Sequence, residues 1–108
     1  MTEISIDRFA AARVSGAFVV DVRQPDEYVQ GHVPGADLIP LGEVSTRTAD
    51  LPTNQPVYVI CASGNRSLRA AEYLRGVGID AHSVRGGTAG WIGAGKPVVT
   101  GTGTGADA

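Results

Sequence analysis

The sequence predicts an α/β domain whose largely parallel central sheet is flanked by helices. Three observations carry that expectation. Two short, continuously apolar runs, residues 18–22 and 57–60, read as strands buried on both faces. They alternate with segments of helical periodicity, the pattern of β-α-β units. The chain has 108 residues, 43% hydrophobic and 19% charged, which is the size and composition of one small globular domain. In such a fold the functional site is expected at the carboxyl ends of the strands.

The elements follow in order. Ser5, Ile6 and Asp7 read as a short strand ending in an Asp N-cap, residues 8–15 as a two-turn helix, and Gly16 as its stop. The run Phe18, Val19, Val20, Asp21, Val22 is the first buried strand, with Asp21 marking its carboxyl end. Residues 25–28 allow one helical turn after Pro25, residues 31–35 form a Gly- and Pro-rich loop, and residues 36–39 a short strand. Residues 43–51 suit a polar helix, although Ser45, Thr46 and Thr48 are weak helix formers.

Residues 57–60 form the second buried strand. The strongest helix spans 67–77, with Ala70, Tyr73, Leu74 and Val77 spaced to make its apolar face and Gly78 at C′. A short strand at 81–84, a tight Gly86-Gly87 turn and a last helical turn capped by Thr88 and carrying Trp91 complete the domain over residues 1–100. Residues 101–108, rich in Gly and Thr, read as a flexible tail.

Composition excludes several function classes. Nine Lys and Arg against eleven Asp and Glu leave a net charge of −2, which gives no positive field for nucleic acid or an anionic membrane. The apolar runs are too short for a membrane span of about 20 residues and the N-terminus does not read as a signal peptide, so the cytoplasm is the expected location. One cysteine and two histidines, His32 and His82, cannot form a disulfide and are short of ligands for zinc, so no metal is expected. Cys61 is then either a buried filler or a nucleophile.

Its surroundings favour the nucleophile. Cys61, Ala62, Ser63, Gly64, Asn65, Arg66 and Ser67 lie between a buried strand and the strong helix, where unpaired helix N–H groups favour an anion. Gly64 and Asn65 permit left-handed backbone that can aim successive N–H groups at one charged atom. Such a place, with Arg66 beside it, lowers a thiol from a pKa of about 8.5 toward roughly 3.5 to 7.5. Arg66 stands where a cation is electrostatically disfavoured, which calls for an anion to pair with it.

At these residues the chain resembles the rhodanese family of sulfurtransferases, in its single-domain form, up to about Pro97. Cys61-x-x-Gly64-x-Arg66-Ser67 carries the likeness together with Asp21-Val22-Arg23 and Glu27-Tyr28, Gly31-His32-Val33-Pro34-Gly35-Ala36, and Gly86-Gly87-x-x-x-Trp91, in the family's order and spacing. The resemblance implies a rhodanese-like fold and a two-step transfer. Cys61 takes the sulfane sulfur of thiosulfate, a persulfide or a polysulfide, and the Cys61 persulfide passes it to cyanide, a small thiol or a protein thiol. It implies no metal or organic cofactor. Backbone N–H groups of Ala62, Ser63, Gly64, Asn65, Arg66 and Ser67 would hold the sulfur anion, and Arg66 would neutralise the oxyanion end of the donor.

Only four residues separate Cys61 from Arg66, where phosphatases and arsenate reductases of related fold have five, so the cradle suits one sulfur atom better than a phosphoryl group. The position after the nucleophile, often Arg in thiosulfate-using members, is Ala62, which leaves room for a persulfide, polysulfide or protein donor. A persulfide relay or binding module for one protein partner is the alternative function, and a redox-sensing thiol a third. Asp21 and Arg23 are read as braces that can orient the active loop, His32 as a hydrogen-bonded loop residue, Trp91 and Tyr73 as core or pocket wall, and Arg85 as a surface charge.

Overall fold

The computed structural model describes residues 2–105. Five strands, β1 (Glu3–Ile4), β2 (Phe18–Asp21), β3 (Asp37–Leu38), β4 (Val57–Ile60) and β5 (Ala81–Val84), form one sheet in the order β1-β5-β4-β2-β3. Every pairing is parallel, with Asp21 opposite Ile60 and Val59 opposite Ser83. Four α-helices accompany them: α1 (Ile6–Val14), α2 (Pro25–Gln30), α3 (Asn65–Gly76) and α4 (Gly87–Gly93). From β2 the chain steps outward to β3, returns past β2 to β4, and then steps outward the other way to β5. The crevice beyond the ends of β2 and β4 is therefore the topological switch point, where ligands bind in open parallel sheets.

Burial on both faces explains the unbroken apolar runs. On one face Val20, Val57, Val59 and Ala81 pack with Ala70, Ala71 and Leu74 of α3 and with Val44 and Leu51. On the other, Val19, Ile60 and Val84 pack with Phe9 of α1 and Trp91 of α4, whose rings meet edge to face at 5.4 Å. Trp91 is core, as expected, and its indole N–H donates to the Pro97 carbonyl.

Several local expectations are corrected. The first strand lies at residues 3–4, and the cap of α1 is Ser5, whose hydroxyl accepts from the Arg8 N–H at 3.2 Å, not Asp7. The polar helix expected at 43–51 is instead two 3-10 stretches, Leu41–Thr46 and Thr48–Asp50, separated by Arg47 at φ −122°. Three Ser and Thr side chains in that window give the α-helix too little support against the tighter turn. The buried stripe of α3 is Ser67, Ala70, Ala71 and Leu74; Tyr73 and Val77 are 45% and 49% exposed, so of the two places expected for Tyr73 it takes the pocket wall, beside Leu41 and Ala70, and not the core. Thr88 lies within α4, whose N-cap is Gly86.

Residues 101–105 also differ from a free tail. Gly101 N–H donates to the Val29 carbonyl, Gly35 N–H donates to Thr104, and the Gly103 carbonyl lies 2.8 Å from His32 Nε2. Gly101 and Gly105 sit at φ +89° and +72°, which lets the strand-like segment turn back over the 31–35 loop and satisfy its backbone groups. The rest of the expected tail, 106–108, lies outside the described residues.

Candidate active site

Cys61 leaves the end of β4 at the switch point and is only 1% exposed, so its thiol lies at the floor of the loop. Gly64, at φ +113°, turns the chain into α3, and its N–H donates to Cys61 Sγ at 3.1 Å. The Ser67 hydroxyl, in the first turn of α3, lies 3.3 Å from the sulfur. Beneath it Ser83 of β5 contacts Ser67 Oγ at 2.7 Å, and both serines are fully buried.

Burial pushes the Cys61 thiol up, but the Ser67 hydroxyl and the N–H groups of Ser67, Gly64 and Ser63 together outweigh it, leaving the pKa below its ordinary value. Of the residues expected to form an N–H cradle, Ser63, Gly64 and Ser67 are the ones whose N–H groups act on the thiol. Ala62 and Asn65 contribute chain path rather than a contact to the sulfur among the described interactions.

The orientation of these peptides is set from α4. Thr88 N–H donates to the Cys61 carbonyl at 2.8 Å and Ala89 N–H to the Ala62 carbonyl at 3.0 Å. Across a trans peptide the C=O and N–H point in opposite directions, so binding the Ala62 carbonyl from α4 turns the Ser63 N–H away from α4. This contact needs glycine at 87. A Cβ there would lie 2.6 Å from both the Cys61 and Ala62 carbonyl oxygens, and φ is +58°. The Gly86-Gly87 pair is therefore a close backbone approach as well as a turn.

Asp21 and Arg23 pair with each other and tie the end of β2 to Gly31, with no side-chain contact to the 61–67 loop among the described interactions. The Arg23 guanidinium donates to both carboxylate oxygens of Asp21 at 2.9 to 3.1 Å and to the Gly31 carbonyl at 2.8 Å, all within buried surroundings. His32 is fully buried, stacked on Tyr28 at 3.5 Å between ring centres, with Nδ1 2.8 Å from the Tyr28 carbonyl. Arg85 is exposed and reaches Glu3, on the β1 edge.

Arg66 is where the structure departs most from expectation. Its guanidinium is already engaged: Nη1 and Nη2 donate to Glu27 Oε1 and Oε2 at 2.7 and 2.9 Å, a two-pronged ion pair about one-third exposed. The Arg66 hydrogen bonds are the main cause that lowers Glu27 to a pKa of about 2, and Glu27 raises Arg66 in turn. The anion that a cation at this helix N-terminus demands is thus a protein carboxylate 39 residues earlier. Glu27 and Ser83 lie behind the loop, against Arg66 and Ser67, and no sequence expectation named either as their partner. Arg66 signals a partner without saying which, and Ser83 lies within the strand expected at 81–84 with nothing local to set it apart.

Comparison with known proteins agrees with this geometry. Residues 5–94 match the family model of the rhodanese-like domain. Thiosulfate sulfurtransferase GlpE of Pseudomonas entomophila is 41% identical over 91 residues, 82% of each chain. The putative sulfur carrier protein YrkF of Bacillus subtilis is 46% identical over 57 residues, 53% of this chain and 31% of that one. A rhodanese-related protein from Thermoplasma volcanium superposes with a TM-score of 0.86 at 33% identity, covering 92% of this chain and 98% of the other. The chain spans less than two thirds of the length of two curated relatives it matches, 62% and 31%.

Proposed function

The chain belongs to the rhodanese-like domain family, and on that footing we propose that it is a sulfurtransferase working through a Cys61 persulfide. The observation that carries the reading is the sulfur itself, held at a strand end by Gly64 N–H and Ser67 hydroxyl with its thiol pKa lowered. A thiolate is the attacking form, and these contacts favour it.

In the first step Cys61 thiolate attacks the outer sulfur of a donor. With thiosulfate a Cys61 S–S bond forms, the donor's S–S bond breaks with its electron pair, and sulfite leaves. Charge balances, since one thiolate and one dianion become one persulfide anion and one dianion. In the second step cyanide or a thiolate attacks the terminal sulfur, and Cys61 thiolate is regenerated as thiocyanate or an acceptor persulfide departs. The N–H groups at the loop floor are positioned for the negative sulfur, each charge-assisted bond contributing about 1.5 to 3 kcal/mol. No step calls for a metal or organic cofactor.

A second reading, persulfide relay between protein partners, is favoured by two observations. Ala62 adds no cation beside Cys61, and Arg66 is occupied by Glu27. The likeness to a putative sulfur carrier accords with it. A lone thiol that external thiols must discharge also suits a reducing compartment such as the cytoplasm.

Two-substrate kinetics test the transfer. Parallel double-reciprocal lines with donor and acceptor varied together are expected of the two-step route, and a Cys61→Ser variant should be folded and inactive. Intersecting lines, or turnover by Cys61→Ser, would overturn it.

A further inference from the structure

Arg66 is the only cation in the loop 61–67, and the carboxylate that holds it belongs to a different element, α2. The nearby Arg23 is likewise committed to Asp21. The loop therefore presents a neutralised pair at Arg66 rather than a free positive charge, and Arg23 is neutralised in the interior. Arg66 nonetheless belongs to the same turn as the sulfur's contacts, two residues after Gly64, whose N–H donates to Cys61 Sγ, and one before Ser67. Cancelling its charge therefore lowers the positive potential offered to an anion at this loop.

We propose that Glu27 is a specificity-determining residue: by occupying Arg66 it removes the attraction for a dianionic donor and selects persulfides whose tails are uncharged. This rests on the sulfur-transfer reading above. Glu27 also accepts the Gln24 N–H at 3.0 Å at the start of α2, so it is held in place from its own helix as well as by Arg66. A residue fixed from two sides can neutralise Arg66 without collapsing onto the thiol. It cannot be displaced cheaply by thiosulfate, which would have to break two short charge-assisted bonds.

The informative substitution is Glu27→Gln, which keeps an oxygen to accept from Gln24 and from one Arg66 N–H while removing the charge. By Coulomb's law in a water-like medium, a unit negative charge opposes a dianion by roughly tenfold in binding at a separation of about 6 Å, and a monoanion by roughly threefold, which sets the scale of the effect. In Glu27→Gln the KM for thiosulfate should therefore fall about tenfold, while KM and kcat for hydroxyethyl persulfide, with its uncharged tail, stay within about twofold. Raising the salt should erase the difference. The double variant Glu27→Gln/Arg66→Gln should lose the gain.

A readout independent of sulfur transfer is alkylation of Cys61. The rate ratio of iodoacetate to iodoacetamide should rise about threefold in Glu27→Gln, again only at low salt. Equal losses with both donors and an unmoved alkylation ratio would show Glu27 to be a structural brace and overturn the proposal. If the wild type takes sulfur from neither donor, the transfer reading falls, and the alkylation ratio still decides whether Glu27 sets the potential at Cys61.

Discussion

Replacing Gly87 by alanine should damage this protein far more than replacing its neighbour Gly86, and the difference can be worked from the backbone. Both glycines have positive φ, +82° at Gly86 and +58° at Gly87, so alanine at either position costs about 1–2 kcal/mol for the left-handed conformation. At Gly86 the new Cβ meets nothing closer than 3.6 Å, an ordinary contact. At Gly87 it meets the carbonyl oxygens of Cys61 and Ala62 at 2.6 Å and the Ala62 carbonyl carbon at 2.7 Å. These are backbone atoms that cannot rotate away. Relief requires α4 to part from the loop, which forfeits the Thr88 and Ala89 hydrogen bonds at about 1 kcal/mol each or more. Gly87→Ala should therefore cost about 3–4 kcal/mol and Gly86→Ala about 1–2, against a total stability of about 5–15 kcal/mol. Urea unfolding of both variants measures the costs. The pH dependence of iodoacetamide alkylation adds a local readout, because loss of the α4 contacts frees the Ser63 peptide and should raise the Cys61 pKa in Gly87→Ala alone. Equal stability losses in the two variants, with an unshifted thiol, would refute the claim that α4 orients the loop.

Other expectations follow from the same geometry. Ser67→Ala removes the hydroxyl 3.3 Å from the sulfur, so the alkylation midpoint should move to higher pH, and Ser83→Ala should move it the same way by less. An unchanged midpoint in Ser67→Ala would remove the hydroxyl from the set of groups favouring the thiolate. Because the folded thiol is depressed, its stability contribution is fully present above the unfolded thiol pKa and is lost as pH falls through the folded value. Glu27 behaves alike at lower pH: held at about 2 against 4.5, it contributes fully above 4.5, and that contribution disappears as pH falls toward 2. Screening at a pair one-third exposed limits this to about 1 kcal/mol. The stability gap between wild type and Glu27→Gln should close over that window in acid unfolding, and a gap constant from pH 6 to 2 would contradict the ion pair's contribution.

Strands β2 and β4, the helix after Cys61 and the loop between them were legible because burial on both faces leaves unbroken apolar runs and because Gly and Pro punctuate their ends. What stayed hidden depended on packing or on distant pairing. Tyr73 and Val77 match an apolar stripe by spacing, but α3 is rotated so that the smaller Ser67, Ala70 and Ala71 approach the sheet, which large residues would hold apart. The helical character of 41–50 is legible, but its division into two 3-10 stretches around Arg47 is not, because Ser45, Thr46 and Thr48 weaken an α-helix without saying which tighter turn replaces it. Residues 101–105 have nothing apolar to bury, yet hydrogen bonds with Val29, the His32 ring and Gly35 place them. At the site, the position of Cys61 at a strand end and the turn at Gly64 into α3 are readable from one short segment. The partner of Arg66 and the serine beneath Ser67 come from other elements, 39 and 16 residues away, and no local pattern could name them.

The most direct test of sulfur transfer is the intact mass of the protein after incubation with thiosulfate or polysulfide and removal of excess donor, for wild type and Cys61→Ser side by side. A gain of about 32 mass units in wild type alone, reversed by a thiol or cyanide, is the predicted result for a covalent persulfide intermediate. A wild type that gains no sulfur from any donor, or a Cys61→Ser variant that gains as much, would contradict it.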